Sequence, residues 1–277
     1  MNWSQSVMMG FLSGLCEPLP MSAQAHRAML RRMMGVESEG TLFLLCCHIA
    51  ILTVLLTAGR LEIRRLRRTG KLLRTPPRRR TGRPELNSAG TLRLLRSGAV
   101  LVLAGRLLAP RLEFVGERLW LLAVPLMLSG LILWIPTLLR TANKDGRHLA
   151  AADGALMGLG ALAAAIPGLS LVGTATAVGS VRGADRSYAL RFAWLLLSIS
   201  MAAAICMDLL ALAMGGFTFV LKELLIALVG AAAAALGTYL AISLARSLTR
   251  PGRSGLSVFC YYNWGQALLC IALFLLV

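Results

Sequence analysis

The sequence predicts an all-α integral membrane protein of six transmembrane helices plus two re-entrant helical hairpins in an inverted repeat. Three observations lead there. Of 277 residues, 57% are hydrophobic and 15% charged, whereas a soluble domain carries about a quarter charged residues. The cations, 29 Lys+Arg against 12 Asp+Glu for a formal charge of +17, cluster between long uncharged runs, as they do in a polytopic protein with a positive cytoplasmic side. Two further apolar segments are interrupted in mid-course by proline with polar neighbours. The hydrophobic content excludes a disordered basic protein. A nucleic-acid binder would spread its basic residues over folded surface.

The elements follow in chain order. Segment 3–35 is apolar and rich in small residues, but Pro20-Met21-Ser22 breaks it, so it reads as a hairpin that returns to the side it entered. Residues 42–58 are the first span, uncharged and nearly long enough to cross the hydrocarbon core. The stretch 60–84 holds 11 Lys/Arg against the single acid Glu62. It predicts a solvated basic loop, 60–88, on the cytoplasmic side beside anionic headgroups. Residues 89–109 form a weaker span, with Arg93, Arg96 and Arg106 expected to snorkel toward the interface. The balanced segment 110–118 lies outside and 119–139 crosses again. Arg140, Lys144 and Arg147 mark an inner loop before the second broken segment, 150–186, with its Pro167-Gly168-Leu169-Ser170 interruption. Spans 190–213, 224–245 and 257–277 complete the set. Segment 214–223 is placed outside, Arg246, Arg250 and Arg253 inside, and both chain ends outside. The whole is one polytopic domain, 1–277, with halves 1–139 and 150–277 that share one order of elements and oppose each other in orientation. The first thirty residues do not read as a cleavable signal, because no basic n-region precedes the apolar stretch and Glu17 and Pro20 interrupt it. The six cysteines show no metal or disulfide spacing and read as small packing residues.

Inverted repeats with broken helices commonly place a binding site at their interface near mid-membrane. A helix restarting after such a break offers free N–H groups and a positive dipole end, a ready phosphate site. Polar residues there require a reason. Glu17, with His26 shortly after, is an ionisable residue in an apolar segment and a functional candidate by default; the other reading pairs the two to satisfy a buried turn. Ser170 and Thr174 either point at a bound anion or bond to helix carbonyls. His48 is either a ligand or a packed helix residue, and Asp208 reads as interfacial.

At these residues the chain resembles the undecaprenyl-diphosphate phosphatase family, the bacitracin-resistance membrane phosphatases. The family stretch E-G-L-T-E-F-L-P-V-S-S-T-G-H aligns with Ser13 to His26. F-D-V-L-L-H-L-G-T-L-L-A-V aligns with Phe43 to Leu55, placing its His on His48, and P-G-x-S-R-S-G-x-T aligns with Pro167 to Thr174. The resemblance covers nearly the whole chain and implies the same six spans and two re-entrant hairpins. It implies hydrolysis of undecaprenyl diphosphate to the monophosphate, which recycles the cell-wall lipid carrier of peptidoglycan synthesis. The setting is the bacterial plasma membrane, with the site facing outward.

The implied catalytic pair is Glu17 and His26, with His26 as nucleophile or general acid/base and Glu17 orienting it or holding a cation. The implied phosphate-binding set is Ser22, Ser170, Gly173 and Thr174, with His48 and Arg27 as secondary candidates. The cofactor is Mg or Ca if any, held at Glu17 and weakened because the family's second carboxylate falls on Ser13. Three further family positions differ: Ala23 stands for a Ser, Leu171 for the diphosphate-clamping Arg, and Val172 for a Ser. Leu cannot make the bidentate, charge-assisted contacts of Arg. Arg27 and Arg182 are the nearest cations in sequence. Two functions therefore stand: a phosphatase with altered or reduced activity, or a catalytically inactive polyprenyl-phosphate binder or transporter of the same fold. The partners are the polyprenyl (di)phosphate lipid and the membrane, with no nucleic acid and a homodimer left open.

Overall fold

The computed structural model describes residues 1–139, 143–215, 220–249 and 255–276. Twelve α-helices occur among the described residues: α1 Trp3–Cys16, α2 Ala23–Met34, α3 Thr41–Ala58, α4 Arg60–Arg74, α5 Leu86–Leu108, α6 Phe114–Glu117, α7 Leu119–Leu138, α8 Ala151–Ala163, α9 Leu171–Val181, α10 Arg186–Met214, α11 Leu221–Leu248 and α12 Gly255–Leu276. Five of them, α3, α7, α10, α11 and α12, are long and apolar enough to cross a membrane. Their outward faces carry Leu128, Leu131, Trp134, Leu236, Leu240, Leu268 and Leu269, all exposed. Water would not tolerate an apolar surface of that extent on a monomer, whereas lipid tails match it. The protein is an all-α, multi-pass integral membrane protein.

The weaker span forms as the 23-residue α5, long enough to cross the hydrocarbon core at 1.5 Å per residue. The basic stretch departs from the expected loop, because residues 60–74 fold as α4. Ile63, Leu66, Gly70 and Leu73 recur at helical spacing, Leu66 is buried, and the arginines of α4 are exposed. This is the pattern of a basic amphipathic helix lying along a membrane surface. Of the expected inner-loop cations, Lys144 and Arg147 sit exposed beyond α7. Arg140, Arg250 and Arg253, and residues 216–219 of the expected outer loop, lie outside the described residues.

Both broken segments form pairs of short helices, α1–α2 and α8–α9, and each packs chiefly against a long helix from the other half of the chain. α1 lies on α11, α8 on α5, α7 on α12 and α3 on α10. Small residues allow the backbones to meet: Gly10 and Gly14 face Gly230 and Ala234, while Gly154 and Gly158 face Leu94 and Gly98. In lipid, where no hydrophobic force joins helices, such close approach is the main source of association. A Cβ on Gly158 would stand 2.6 Å from Gly98 Cα, so Gly158→Val is expected to cost about 1–3 kcal/mol. A lowered melting temperature in detergent checks this, and an unchanged one would show that α5 and α8 can separate freely.

Candidate functional site

The two helix breaks meet, and each consumes the backbone groups of the other. Ser22 caps α2, its Oγ accepting from Ala25 N–H (3.3 Å), and the same oxygen accepts from Gly168 N–H in the second break (3.0 Å). In return Ser170, which caps α9 by accepting from Gly173 N–H (3.0 Å), donates its hydroxyl to the Leu19 carbonyl (3.2 Å). The neighbouring carbonyls are also satisfied: Trp194 Nε1 donates to Pro18 (2.9 Å) and Asn263 Nδ2 to Pro20 (3.1 Å). Irregular backbone inside a membrane protein persists only with such partners. Gly168 takes φ +105° at this junction, a left-handed conformation that glycine adopts without strain.

Beside the junction lies a cavity of about 50 Å³ lined by Glu17, Ser22, Ala23, Gln24, Arg106, Ser170, Leu171 and Ser200, among others. The first turns of α2 and α9 both contribute to its wall. The first N–H groups of a helix have no intrahelical acceptor, so two positive helix ends converge on one space. Adjoining it is a chamber of about 300 Å³ holding Arg27, Arg31, Glu39, His48, Glu113 and Asp208. Gln24, Arg106 and Ala109 line both spaces.

The charges are arranged as a chain. Arg27 faces Glu17 at 3.8 Å and Glu39 at 3.5 Å, and Arg31 reaches Glu39 at 3.6 Å. His48 Nδ1 donates to Asp208 at 2.7 Å, with both residues buried. Asp208, expected at the interface, is thus held by a histidine from a distant part of the chain. Arg106 Nε is buried without a hydrogen-bond partner, as is Gln24 Oε1.

The structure brings Glu17, Ser22 and Ser170 to the cavity, and puts Arg27 and His48 in the adjoining chamber. It does not bring His26 there. Both ring nitrogens of His26 are engaged, Nδ1 with the Ser22 carbonyl (2.7 Å) and Nε2 with the Tyr262 hydroxyl (2.6 Å). The imidazole stacks on the Tyr262 ring in a separate groove with Leu12, Met29 and Leu269. Pairing of Glu17 with His26 is therefore not formed, because Arg27 takes the carboxylate and Tyr262 the imidazole. The Thr174 hydroxyl donates to the carbonyls of Gly160 (2.6 Å) and Ser170 (2.7 Å). Gly173 lets the hairpins approach, a Cβ there lying 3.3 Å from Pro20 Cα. Arg182 is committed to Asp153 at 2.6 Å.

Arg106 is the residue that sequence reasoning misplaced. Gly98, Val102 and Gly105 are the buried face of α5, and Arg106 stands at i+8 from Gly98 and i+4 from Val102, on that same face. This pattern of small residues was the available signal that its side chain turns inward rather than to the interface.

Ser13, which occupies the place of a second carboxylate, donates its hydroxyl to the Met9 carbonyl (2.7 Å). Glu17 has a cation for its nearest charged neighbour, and among the described residues no three His, Cys, Asp or Glu side chains group as metal ligands. Glu17 alone would hold a divalent cation here, with the remaining oxygen ligands left to water and substrate phosphate.

An all-α membrane protein whose two broken hairpins lock together over a charged cavity is the class that fold and site define. Within that class the chain belongs to the family described as bacitracin resistance protein BacA, which it matches over residues 6–269. It is 28% identical over 265 residues to the undecaprenyl-diphosphatase of Carboxydothermus hydrogenoformans, covering 95% of this chain and 94% of the relative. An undecaprenyl-diphosphatase of Methanobrevibacter smithii is 28% identical over 277 residues, with 95% of each chain covered. One of Nocardioides sp. is 29% identical over 195 residues, 70% of each.

Proposed function

We propose that this protein hydrolyses undecaprenyl diphosphate to undecaprenyl phosphate and inorganic phosphate in the bacterial plasma membrane. The observation that carries the reading is the cavity between the two hairpins, where two helix N-termini and the Glu17 carboxylate face one space in a BacA-family chain. The exchange of packing partners between the halves, α1 on α11 and α8 on α5, supports an inverted repeat with halves 1–139 and 150–277. The basic face of α4 supports a cytoplasmic position for 60–88. The adjoining chamber lies at the opposite ends of the long helices, where α3 begins and α5 ends, which supports an outward-facing site.

The hairpin N–H groups bind phosphate oxygens and stabilise the charge that grows on them in the transition state. Glu17 accepts a proton from water as its oxygen attacks the terminal phosphorus. The P–O bond to the bridging oxygen breaks, and the bridging oxygen leaves on the lipid monophosphate. Arg27 holds Glu17 in place. His26 is a positioning residue: through the Ser22 carbonyl it fixes the start of α2 and hence the Ser22–Gly168 contact.

The test is phosphate release from undecaprenyl diphosphate by the purified chain in detergent. Release above a blank is expected, slower than that of a relative carrying the carboxylate, Arg and Ser that Ser13, Leu171 and Val172 replace. Binding of the lipid without any turnover would overturn the hydrolase reading in favour of a polyprenyl-phosphate binder.

A further inference from the structure

The inner cavity has one basic side chain among its lining residues, Arg106. Its position is unlike that of the other inward-facing arginines. Arg27 and Arg31 share Glu39, and Arg182 is bonded to Asp153. Arg106 makes no ion pair or hydrogen bond among the described residues, although its Nε is buried. An N–H taken from water without an acceptor is costly, and the cost is removed when an anion accepts from it. Glu17, Arg27 and Asp208 are the charges that face it, so its surroundings are not simply acidic. The Gln24 amide, which lines the same two spaces, also has its oxygen buried without a donor. Turned over, that amide presents its N–H₂ to the cavity instead. Two unsatisfied polar groups and two helix N-termini thus surround one small volume, and the ligand that answers all of them is a compact, multiply charged oxyanion.

We propose that Arg106 is the diphosphate-binding cation of this protein, delivered from the end of α5 to the cavity where the α9 position facing it, Leu171, is uncharged. The inference rests on the hydrolase reading for the identity of its substrate, but it concerns binding and is tested as such. Arg106 lines both the inner cavity and the outer chamber, so its fork is placed to hold a phosphate group as the lipid head passes from one to the other. Bidentate contact to phosphate is what a guanidinium provides and an ammonium does not.

The experiment measures calorimetric binding of inorganic diphosphate and of farnesyl diphosphate to the full chain in detergent, with phosphate release followed in parallel. Arg106→Gln is expected to weaken both ligands roughly tenfold to a hundredfold, and Arg106→Lys to fall between it and the wild type. Leu171→Arg added to Arg106→Gln is expected to regain most of the loss, since both positions face one cavity. The unliganded melting temperature of Arg106→Gln should hold or rise, because a buried N–H without an acceptor has been removed. Unchanged affinity in Arg106→Gln overturns the proposal. So does a loss confined to farnesyl diphosphate, which would put Arg106 on the lipid rather than the phosphates. A lowered unliganded melting temperature without recovery in the double variant makes Arg106 a packing residue, and the proposal falls. Arg106-dependent binding without phosphate release sinks the hydrolase reading alone, and equal turnover by wild type and Arg106→Gln sinks this inference alone.

Discussion

Glu17→Gln is expected to lower phosphate release by about a hundredfold to ten-thousandfold, the range a positioned general base contributes. The substitution keeps the volume and one acceptor but cannot take a proton from water. Glu17 is the only carboxylate lining the inner cavity among the described residues, so no neighbour can assume the role. The fold should survive, because Arg27 retains Glu39 at 3.5 Å. The loss should fall on kcat, with KM little changed, since the proposed phosphate contacts of the hairpin N–H groups are untouched. A loss appearing wholly in KM would mean that Glu17 only shapes the site. His26→Ala is the informative companion. It removes the bonds to the Ser22 carbonyl and the Tyr262 hydroxyl from a side chain that does not line the cavity, and a positioning role predicts a smaller loss that His26→Asn partly rescues through an amide at the Ser22 carbonyl. A loss as deep as that of Glu17→Gln, without rescue, would transfer the proton or phosphoryl chemistry to His26.

What the sequence made legible follows from how each property is encoded. Spans and breaks are local: a run of apolar residues must cover the hydrocarbon thickness, and Pro20 and Pro167 with their polar and glycine neighbours interrupt a helix, whereas Pro125 and Pro136 in an unbroken apolar run stay inside α7. The hairpins and long helices therefore appeared near their expected boundaries. α4 was missed because charge dominates its composition, while the positions that place it, Ile63, Leu66, Gly70 and Leu73, signal only by their spacing. Pairings are not local. Glu17 had His26 nearby in sequence, and only the rotation of α2 shows that Arg27, one residue later, faces the carboxylate instead. The Ser22–Gly168 and Ser170–Leu19 contacts need both hairpins in place. The motif places these serines next to each chain break, but it does not reveal that the hydroxyls tie the two halves together. Arg106 was misread for a related reason: its distance from the helix end suggested snorkelling, while its helical phase with Gly98 and Val102 pointed inward.

The His48–Asp208 pair carries the largest expected stability effect, and a double-mutant cycle isolates it. The partners are 160 residues apart in sequence and bonded at 2.7 Å, with side chains only 4% and 12% exposed. They join α3 to α10, two long helices packed against each other. His48→Leu leaves the Asp208 carboxylate buried without its donor, and breaking a buried pair in this way costs about 3 kcal/mol. Arg106 also faces Asp208 and offsets part of that cost, so the loss belongs at the lower end of the range for such pairs. His48→Leu combined with Asp208→Leu removes donor and acceptor together and should restore most of the stability, since an apolar pair of similar size carries no desolvation penalty. Asp208→Asn, which keeps an acceptor for Nδ1, should be the mildest of the single changes. Unfolding in detergent, followed by melting temperature or denaturant midpoint, reads all four. Equal cost for the single and the double leucine variants would mean that the two side chains are not energetically coupled. In that case α3 and α10 are held by packing alone, and the pair belongs to the chamber's electrostatics rather than to the fold.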